Sequence, residues 1–286
     1  MITPPAEVST AILASAHAVI KGQAAALEFL SKVYDGDEVV REQFVNALQI
    51  LYNCILGNGK IVWSAIGKSY KIADKISATM NSLNVQSVCL HPQDALHGDL
   101  GILRQSTDVL VMITSSGNTP ELLNLLGHVP KGVRTICLTC TPDSPLGRRA
   151  DCVLSAQIPP DLSETRLYGL AAPTVTTTAC LVVGDALAIT LSEMIERDLA
   201  ERKRCFGRVH PGGAIGMDYN KDSSSTAESM GVITNLDTCT GIDLLRACAG
   251  NKLVAVGQRV LRTEDILAVE RDCGSWDECI ARLKQM

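Results

Sequence analysis

The sequence predicts an α/β fold with a doubly wound, mainly parallel five-stranded sheet flanked by helices. The first observation is that short, nearly continuous apolar runs recur at fairly even intervals after residue 60. The second is that helical segments separate these runs. Strands buried on both faces have such continuous apolar sequences, and strands that alternate with helices form parallel sheets. We also expect helices before the sheet and a small appendage after it.

Residues 1–59, before the sheet, are predicted to form N-terminal helices that pack on the sheet domain. Apolar residues recur there at helical spacing in two stretches, for example Val8 and Ile12 in the first and Phe44 and Leu48 in the second. Two helices are therefore expected.

Residues 60–217 are predicted to form the sheet domain. The expected strands occupy residues 61–66, 85–90, 109–113, 135–138 and 152–158, and the expected helices occupy residues 69–82, 119–128, about 145–150 and 174–198. Parallel sheets bind ligands beyond the carboxyl ends of their strands. The polar segments that follow the strands are therefore the candidate binding residues.

The chain after the sheet domain is predicted to contain a linker, residues 218–226, and a small appendage, residues 227–286. The linker is polar and rich in serine. In the appendage, residues 231–234 and 252–267 faintly resemble one degenerate CBS module, with a strand, a turn and a closing helix. A capping or oligomer-stabilising segment is the simpler interpretation.

Composition excludes several classes of partner. Charged residues make up 20% of the chain and the net charge is −5, so neither nucleic acid nor an anionic membrane surface is an expected partner. The N-terminus has no basic stretch followed by a long apolar core, and no charge-free apolar run reaches membrane-spanning length. A cytoplasmic protein is expected.

The chain contains eleven cysteines, scattered mainly through apolar runs. The one CxxC pair, Cys137 and Cys140, lies near a predicted strand end, and no second pair stands at the spacing of a zinc site. Thiols buried in the core of a protein in a reducing compartment are the better interpretation.

The most distinctive segment follows the third predicted strand and reads TSSGNTPE over residues 114–121. Thr119 suits the N-cap of a helix, Pro120 its first position and Glu121 its first turn. A helix start offers unpaired N–H groups that bind anions, and the hydroxyls of this segment are further donors. The glycine has no side chain, so a ligand can come close to the backbone. Because the segment has no lysine, it predicts a seat for the phosphate of a metabolite rather than of a nucleotide.

Gly67, Lys68 and Ser69 follow the first predicted strand. They do not complete a triphosphate-binding loop, because residue 62 is Val and the required glycine spacing is missing. No GxGxxG follows any predicted strand, so a dinucleotide is not expected either. Lys68 at a strand end can bind a phosphate or a sugar hydroxyl, or can be an ordinary surface lysine.

His91 and His97, two of the five histidines, lie in the segment after the second predicted strand. Their spacing of six residues matches no standard metal-binding template, so no metal site is predicted. One histidine that donates a proton or binds a sugar hydroxyl is the simpler interpretation.

Three further residues have ordinary interpretations when each is taken alone. Glu121 is typical of a first helical turn, Glu164 of a solvated loop, and His210 of a turn before Pro and Gly. Taken together with Lys68 and His97, they would place two carboxylates, two histidines and a lysine around one crevice.

These segments resemble those of the sugar isomerase (SIS) domain proteins, most closely the arabinose-5-phosphate isomerases of the KpsF/GutQ group. Six matching pieces occur in the family's order over residues 1–217. They are GKS at 67–69, HP at 91–92 with ALHGDLG at 95–101, SSGNT at 115–119 with Glu121, APT at 172–174, GDALA at 184–188 and HPGGAIG at 210–216. Two features depart from the family: the loop after Glu164 is longer by one alanine, and the tail is too short for the usual pair of CBS modules.

The resemblance implies an aldose–ketose isomerase that interconverts D-arabinose 5-phosphate and D-ribulose 5-phosphate. It also implies a homotetramer whose active sites are completed by neighbouring subunits. The active-site residues that carry over are Lys68, His97, Glu121, Glu164 and His210, and the phosphate binders are Ser115, Ser116 and Thr119, with Ser69 nearby.

The chemistry of such an isomerase needs a base for the C2 proton, an acid for the oxygen and stabilisation of a cis-enediol(ate). It needs no redox cofactor, and no cofactor is predicted. Glu121 is preferred to Glu164 as the base because a helix anchors it more rigidly. The alternatives are another sugar-phosphate isomerase of the same fold, such as a hexulose- or heptulose-phosphate enzyme, or a non-catalytic sugar-phosphate sensor. The intact set of acid–base residues favours catalysis.

Overall fold

The structure is a computed structural model that describes residues 6–212, 216, 219, 230–233, 235–248, 251, 253–256, 259–273 and 275–285. The chain divides into two compact units, Met1–His210 and Pro211–Met286. Apart from Tyr219, the predicted linker at 218–226 lies outside the described residues, as do residues 213–215 of the HPGGAIG motif. The predicted domain boundaries stay predictions.

The N-terminal segment forms two helices, α1 (Ala6–Gly36) and α2 (Glu38–Leu56), as the apolar spacing predicts. Asp37 separates them, and its carboxylate accepts a hydrogen bond from the N–H of Val40 at 3.1 Å, which caps the start of α2. Helix α2 ends at Gly57 and buries one side, including Leu48 and Leu51, against the sheet.

The sheet of the first unit has five strands in the order β2-β1-β3-β4-β5, and every neighbouring pair is parallel. The predicted fold class is therefore confirmed. The strands are β1 (Ile61–Ala65), β2 (Ser87–Cys89), β3 (Val109–Thr114), β4 (Arg134–Thr139) and β5 (Cys152–Ser155).

The two edge strands are shorter than their apolar runs predict, because each pairs with a single neighbour over only a few residues. Along β5, side chains take the place of a further strand. The Gln43 side chain accepts a hydrogen bond from the N–H of Val153 at 3.1 Å, and the Tyr34 hydroxyl donates to the carbonyl of Ser155 at 2.8 Å. The polar groups of this edge are thus paired within the chain.

Six helices follow the strands of the first unit: α3 (Gly67–Ser82), α4 (Pro92–Ala95), α5 (Pro120–Leu126), α6 (Glu164–Tyr168), α7 (Val175–Ile195) and α8 (Leu199–Arg208). The predicted helix at 145–150 is wrong, because only a single 3₁₀ turn forms, over Gly147–Arg149. The predicted helix at 174–198 ends early, at Ile195. Asp198 accepts a hydrogen bond from the N–H of Ala200 at 2.7 Å and thereby starts the separate helix α8.

Helices cover both faces of this sheet. Helices α2, α3 and α7 pack on the face that carries Trp63, Val111 and Ile136, whereas α5 packs on the opposite face, against Val62 and Leu110. All five of these strand residues have less than 1% of their surface exposed. Since successive strand residues point to opposite faces, continuous apolar strands are what a sheet covered on both sides requires.

Among the described residues, α7 is the helix that is long and apolar enough to cross a membrane by length and composition. Core helices meet the same criterion. About 44% of its most apolar stretch is buried inside the protein, and it packs against α1, α2 and α3. Its Asp185 also pairs with Lys75 of α3 at 2.6 Å. Helix α7 is therefore a core helix of the first unit.

The second unit is a small mixed fold with the order β6 (Met230–Ile233), α9 (Gly241–Cys248), β7 (Leu253–Val256), β8 (Arg259–Arg262), α10 (Thr263–Cys273) and α11 (Trp276–Gln285). Strand β6 is parallel to β7, and β7 is antiparallel to β8. The helices and the sheet enclose a core of their own that includes Leu244, Val254 and Ile266.

Candidate functional site

The candidate site lies along the edge formed by the carboxyl ends of the parallel strands. Strands β2, β1 and β3 are neighbours, so the segments that follow them meet at this edge. Lys68 begins α3 directly after β1, His97 follows the short helix α4 after β2, and Ser115 follows β3. The topology therefore brings three of the predicted segments together.

The segment after β3, Ser115–Thr119, is called the serine loop here. Its backbone is fixed from below by the loop after β4, because the Thr139 and Thr141 hydroxyls both donate to the carbonyl of Ser115 at 3.2 Å. The N–H of Leu146 donates to the carbonyl of Gly117 at 2.9 Å. The loop is thus rigidly supported, while the Ser116 side chain remains exposed.

Gly117 is the residue that this loop requires for its shape. Its φ of 62° lies in the left-handed region, and a Cβ at this position would lie 1.9 Å from the Ser144 hydroxyl oxygen. Any side chain would therefore push the loop away from its support. The sequence predicted that this glycine allows a ligand to come close. In the structure, its lack of a side chain is what allows the serine loop to pack against Ser144.

Thr119 occupies the N-cap position of α5, as predicted, but its side chain caps no N–H group. Its hydroxyl lies 2.7 Å from the Thr114 hydroxyl, which also accepts a hydrogen bond from the N–H of Gly117 at 3.2 Å. Thr119 thus also braces the loop from inside. Helix α5 has only seven residues, so its dipole is small, and the hydroxyls are the main groups with which the serine loop can bind an anion.

The charged residues nearest the serine loop are left without partners. Lys68 and His97 are exposed and Glu121 is half-buried. Among the contacts of the described residues, none of these three side chains forms a hydrogen bond or ion pair. A base, an acid and a cation are therefore available at this edge for a ligand.

Glu164 is not a solvated loop residue. It begins α6 and is only 7% exposed. One of its carboxylate oxygens accepts three hydrogen bonds, from the Thr176 hydroxyl at 2.7 Å, the N–H of Thr176 at 2.8 Å and the N–H of Thr174 at 3.1 Å. Burial alone would raise the pKa of Glu164, but these hydrogen bonds outweigh it and lower the pKa. The start of α7 thus holds Glu164 as a carboxylate.

Cys140, just after β4, connects Glu164 to the serine loop. The pKa of its thiol is lowered, chiefly by the hydrogen bond with Cys180 and also by the Ser115 side chain, while burial and the charge of Glu164 oppose the shift. Glu164 therefore belongs to the same edge of the sheet, although it follows the outermost strand.

His210 ends the first unit, just after α8. Its ring stacks on Phe206 with 4.1 Å between centroids, and its Nδ1 lies 2.7 Å from the carbonyl oxygen of Phe206. Among the described contacts, none joins His210 to Lys68, His97 or Glu121. The described side-chain contacts of His210 are thus with Phe206 of α8.

A cavity of about 570 Å³ adjoins the edge beside β2, lined by residues that include Tyr70, His91, Asp94 and Asp99. His91 packs edge-on against Tyr70 with 5.4 Å between ring centroids. His91 also accepts a weak hydrogen bond from the N–H of Gln93. Within the described ranges, no group of three or more potential metal ligands comes together.

Sequence reasoning missed the residues that hold the site residues in place. Thr174 and Thr176 fix Glu164, and Thr139, Thr141 and Ser144 support the serine loop. The one available signal was the cluster of threonines at 174–178, at the start of a long helix, where hydroxyls and free N–H groups bind acids.

The comparisons with known proteins agree with this geometry. A model of the SIS domain matches residues 55–190. The chain is 35% identical over 209 residues to arabinose 5-phosphate isomerase KpsF of Escherichia coli O6:H1 strain CFT073, covering 72% of this chain and 58% of the relative. It is 36% identical to arabinose 5-phosphate isomerase KdsD of Yersinia pestis, covering 63% and 52%. The chain thus spans somewhat more than half the length of these curated relatives.

Solved structures give a similar result. The Escherichia coli CFT073 protein c3406 in complex with A5P shares 30% identity and a TM-score of 0.57, over 73% of this chain and 100% of that chain. A Bacteroides fragilis protein assigned as a phosphosugar isomerase involved in capsule formation shares 31% identity and a TM-score of 0.60, over 71% and 98%. This chain therefore belongs to the SIS domain family.

Proposed function

We propose that this protein is an aldose–ketose isomerase that interconverts D-arabinose 5-phosphate and D-ribulose 5-phosphate. The observation that carries the proposal is the 35% identity to a relative named arabinose 5-phosphate isomerase over 209 residues. The region that the SIS domain model matches, residues 55–190, includes the strands that are followed by Lys68, His97 and Glu121. A protein that only sensed sugar phosphates would need the serine loop but not this set of acid–base groups.

The serine loop binds the phosphate of the substrate in this proposal. Ser115, Ser116 and Thr119 supply hydroxyls, and Ser69 lies after the neighbouring strand β1. Because the loop is already held by Thr139 and Thr141, little conformational entropy is lost when the phosphate binds. Binding energy from the phosphate then fixes the reacting carbonyl end of the sugar.

Glu121 is the proposed base that removes the C2 proton. A general base works best when its pKa lies near the working pH. The three hydrogen bonds to Glu164 lower its pKa, which moves it away from neutral pH and makes Glu164 a weaker base. Glu121 has no such donors among the described contacts. Glu164 instead provides a fixed negative charge that orients a cationic partner, such as Lys68 or a histidine.

His97 and His210 share ring opening and the transfer of protons to the sugar oxygens, and Lys68 orients the sugar. His210 acts in the site of a neighbouring subunit, as the resemblance to isomerases with shared active sites implies. The proposed assembly is therefore a homotetramer with shared active sites, and the proposed location is the cytoplasm. Neither a metal nor a nicotinamide is required for this chemistry.

The test is to incubate the purified full chain with D-arabinose 5-phosphate in deuterated water and to follow the products by NMR. We expect D-ribulose 5-phosphate to form and deuterium to enter C2 of the aldose, with no loss of turnover after treatment with a chelator. A panel of pentose and hexose phosphates serves as the control for substrate class. Binding of pentose phosphates without turnover would contradict the proposal, and turnover of a hexose phosphate alone would assign a different substrate.

A further inference from the structure

Two cysteine thiols lie in contact beneath the serine loop. Cys140 follows β4 and Cys180 lies on α7, and their sulfur atoms are 3.9 Å apart. Cys180 is only 3% exposed, whereas Cys140 is half-buried. A disulfide bond is about 2.05 Å long, so a side-chain rotation with a small shift of the backbone would close the gap. We call Cys140 and Cys180 the thiol pair.

The thiol pair joins the two supported parts of the candidate site. On one side, the Ser115 side chain of the serine loop is, after Cys180, a group that lowers the pKa of the Cys140 thiol. On the other, the Cys140 sulfur lies 3.8 Å from the carbonyl oxygen of Thr176, and Cys180 follows Thr176 by one turn of α7. Since Thr176 holds Glu164, a change at the thiol pair acts on both the serine loop and Glu164.

The environment of the pair favours a reaction that begins at Cys140. The hydrogen bond from Cys180 lowers the pKa of the Cys140 thiol, and the one from Ser115 acts in the same direction. The same contact raises the pKa of Cys180, with burial adding to the effect. A half-buried thiol with a lowered pKa, in contact with a second, buried thiol, is the arrangement in which oxidation leads to a disulfide.

The other half of the CxxC sequence lacks these features. Cys137 lies on β4 with less than 1% of its surface exposed, and burial raises its pKa to about 12. The partner that the fold brings to Cys140 is thus 40 residues away along the chain, not three.

We propose that Cys140 and Cys180 are an oxidative modification site at which a hydroperoxide forms a reversible disulfide. The Cys140 thiolate attacks one peroxide oxygen, the O–O bond breaks, and Cys140 becomes a sulfenic acid while hydrogen peroxide is reduced to water. The Cys180 sulfur then attacks the Cys140 sulfur, which forms the S–S bond and releases a second water. Two thiols and one hydrogen peroxide thus give one disulfide and two waters.

Disulfide formation draws the second turn of α7 toward the end of β4. It therefore shifts Thr176, which holds Glu164 through three hydrogen bonds together with Thr174. A displacement of about 1 Å at a catalytic group can lower turnover by about 10²-fold. This effect on turnover rests on the proposed function, whereas formation of the disulfide does not.

The experiment treats the full chain with hydrogen peroxide, blocks the remaining thiols with N-ethylmaleimide, digests the protein without reduction and identifies linked peptides by mass spectrometry. We expect a Cys140–Cys180 link that forms in proportion to the loss of isomerase turnover, and dithiothreitol should reverse both. Cys180→Ser should abolish the link. Cys205→Ser, at a half-buried thiol that pairs with Arg208 on α8, is the matched control and should keep the link.

A Cys137–Cys140 link, or sulfinic acid at Cys140 without a link, would overturn the proposal. A complete link with unchanged turnover would refute its coupling to the site. The linked peptide is detected by mass spectrometry in the wild-type chain without substrate. It therefore shows whether the disulfide forms even if Cys180→Ser fails to fold. A chain that forms the link but turns over no sugar phosphate would refute the proposed function and leave the modification site intact.

Discussion

The charged side chains at the two ends of the central sheet differ in whether they have partners within the chain. At the amino end, the fully buried Asp108 carboxylate accepts hydrogen bonds from the N–H of Lys60 at 3.0 Å and the N–H of Arg104 at 2.8 Å, and pairs with the Lys60 ammonium. Asp151 accepts from the N–H and hydroxyl of Thr135 at 2.7 and 2.9 Å. At the carboxyl end, the Lys68, His97 and Glu121 side chains have no such partners among the described contacts.

This difference separates residues that hold the fold from residues that await a ligand. A buried charge without partners costs several kcal/mol, so the buried Asp108 must be paired within the chain. At the carboxyl end, the unpaired side chains are accessible to a substrate, which can supply their hydrogen-bond and charge partners. Glu164 is the instructive exception, because it is at the carboxyl end yet one of its oxygens accepts three hydrogen bonds from within the chain. These hydrogen bonds favour a role for Glu164 as a permanently ionised carboxylate rather than as a group that accepts and releases a proton.

The largest expected effect is at the carboxyl end. Glu121→Gln should lower kcat by about 10²–10⁴-fold, the usual contribution of a general base, because the amide cannot take the C2 proton. The free energy of unfolding should change little, because Glu121 is held by no bond among the described contacts. Steady-state kinetics and urea unfolding of the same preparation measure both quantities.

Glu38→Gln is the matched control for this variant. Glu38 is also a first-turn glutamate, in α2, so the substitution removes a similar helix-dipole interaction without touching the candidate site. It should leave kcat unchanged. If Glu121→Gln keeps near-normal kcat while Glu164→Gln abolishes turnover, the assignment of the base is reversed.

The reciprocal effect is expected at the amino end. Asp108→Ala should lower the free energy of unfolding by about 3–5 kcal/mol, because it leaves Lys60 and two backbone N–H groups without their partner. The fraction that remains folded should keep its KM for the sugar phosphate. Urea denaturation measures the stability, and a large change in KM with little change in stability would refute the division between the two ends.

The same carboxylate gives the protein a dependence on acid. Burial opposes ionisation of Asp108, but the hydrogen bond from Lys60 and those from the backbone outweigh it, so the pKa is lowered. The stabilisation is therefore fully present above the unfolded pKa of about 3.9 and is lost as pH falls through the lower folded pKa. In unfolding measured against pH, the stability difference between wild type and Asp108→Asn should shrink below about pH 4. A difference that stays constant would contradict this account.

A smaller effect is expected from a single hydroxyl of the serine loop. Ser116→Ala should raise the Kd for the sugar phosphate by about 10- to 150-fold, because one hydrogen bond to a charged group is worth about 1.5–3 kcal/mol. The kcat should change less than the Kd. Ser82→Ala, at the far end of α3 where the hydroxyl donates to the Thr79 carbonyl, is the control and should not alter binding. Equal losses in both variants would show a general loss of structure.

Much of the sheet could be predicted from sequence because β1, β3 and β4 are buried on both faces and leave unbroken apolar runs. The separate start of helix α8 was not predicted, because it depends on a local contact in which the Asp198 carboxylate accepts a hydrogen bond from the N–H of Ala200. The edge strand β2 is shorter than its apolar run because pairing with β1, not apolar character, sets its length.

The same contrast holds for the candidate site. Lys68, His97 and Glu121 lie in the segments that follow three neighbouring parallel strands, so their common edge could be inferred from parallel topology alone. The environment of Glu164 could not, because its donors lie 10 and 12 residues further along the chain and reach it only when the start of α7 folds against α6. Contacts between distant segments, such as Cys140 with Cys180, leave no periodic signal in the sequence.

Hydrogen–deuterium exchange of the backbone amides, with and without saturating D-ribulose 5-phosphate, tests the division of labour most directly. The amino end offers a competing site, a cavity of about 190 Å³ lined by residues that include Ser106, Asp108 and Arg134. We predict that the ligand slows exchange across residues 114–121 and leaves residues 104–109 unchanged. Slower exchange at residues 104–109, with none at 114–121, would contradict the assignment of ligand binding to the carboxyl end of the sheet.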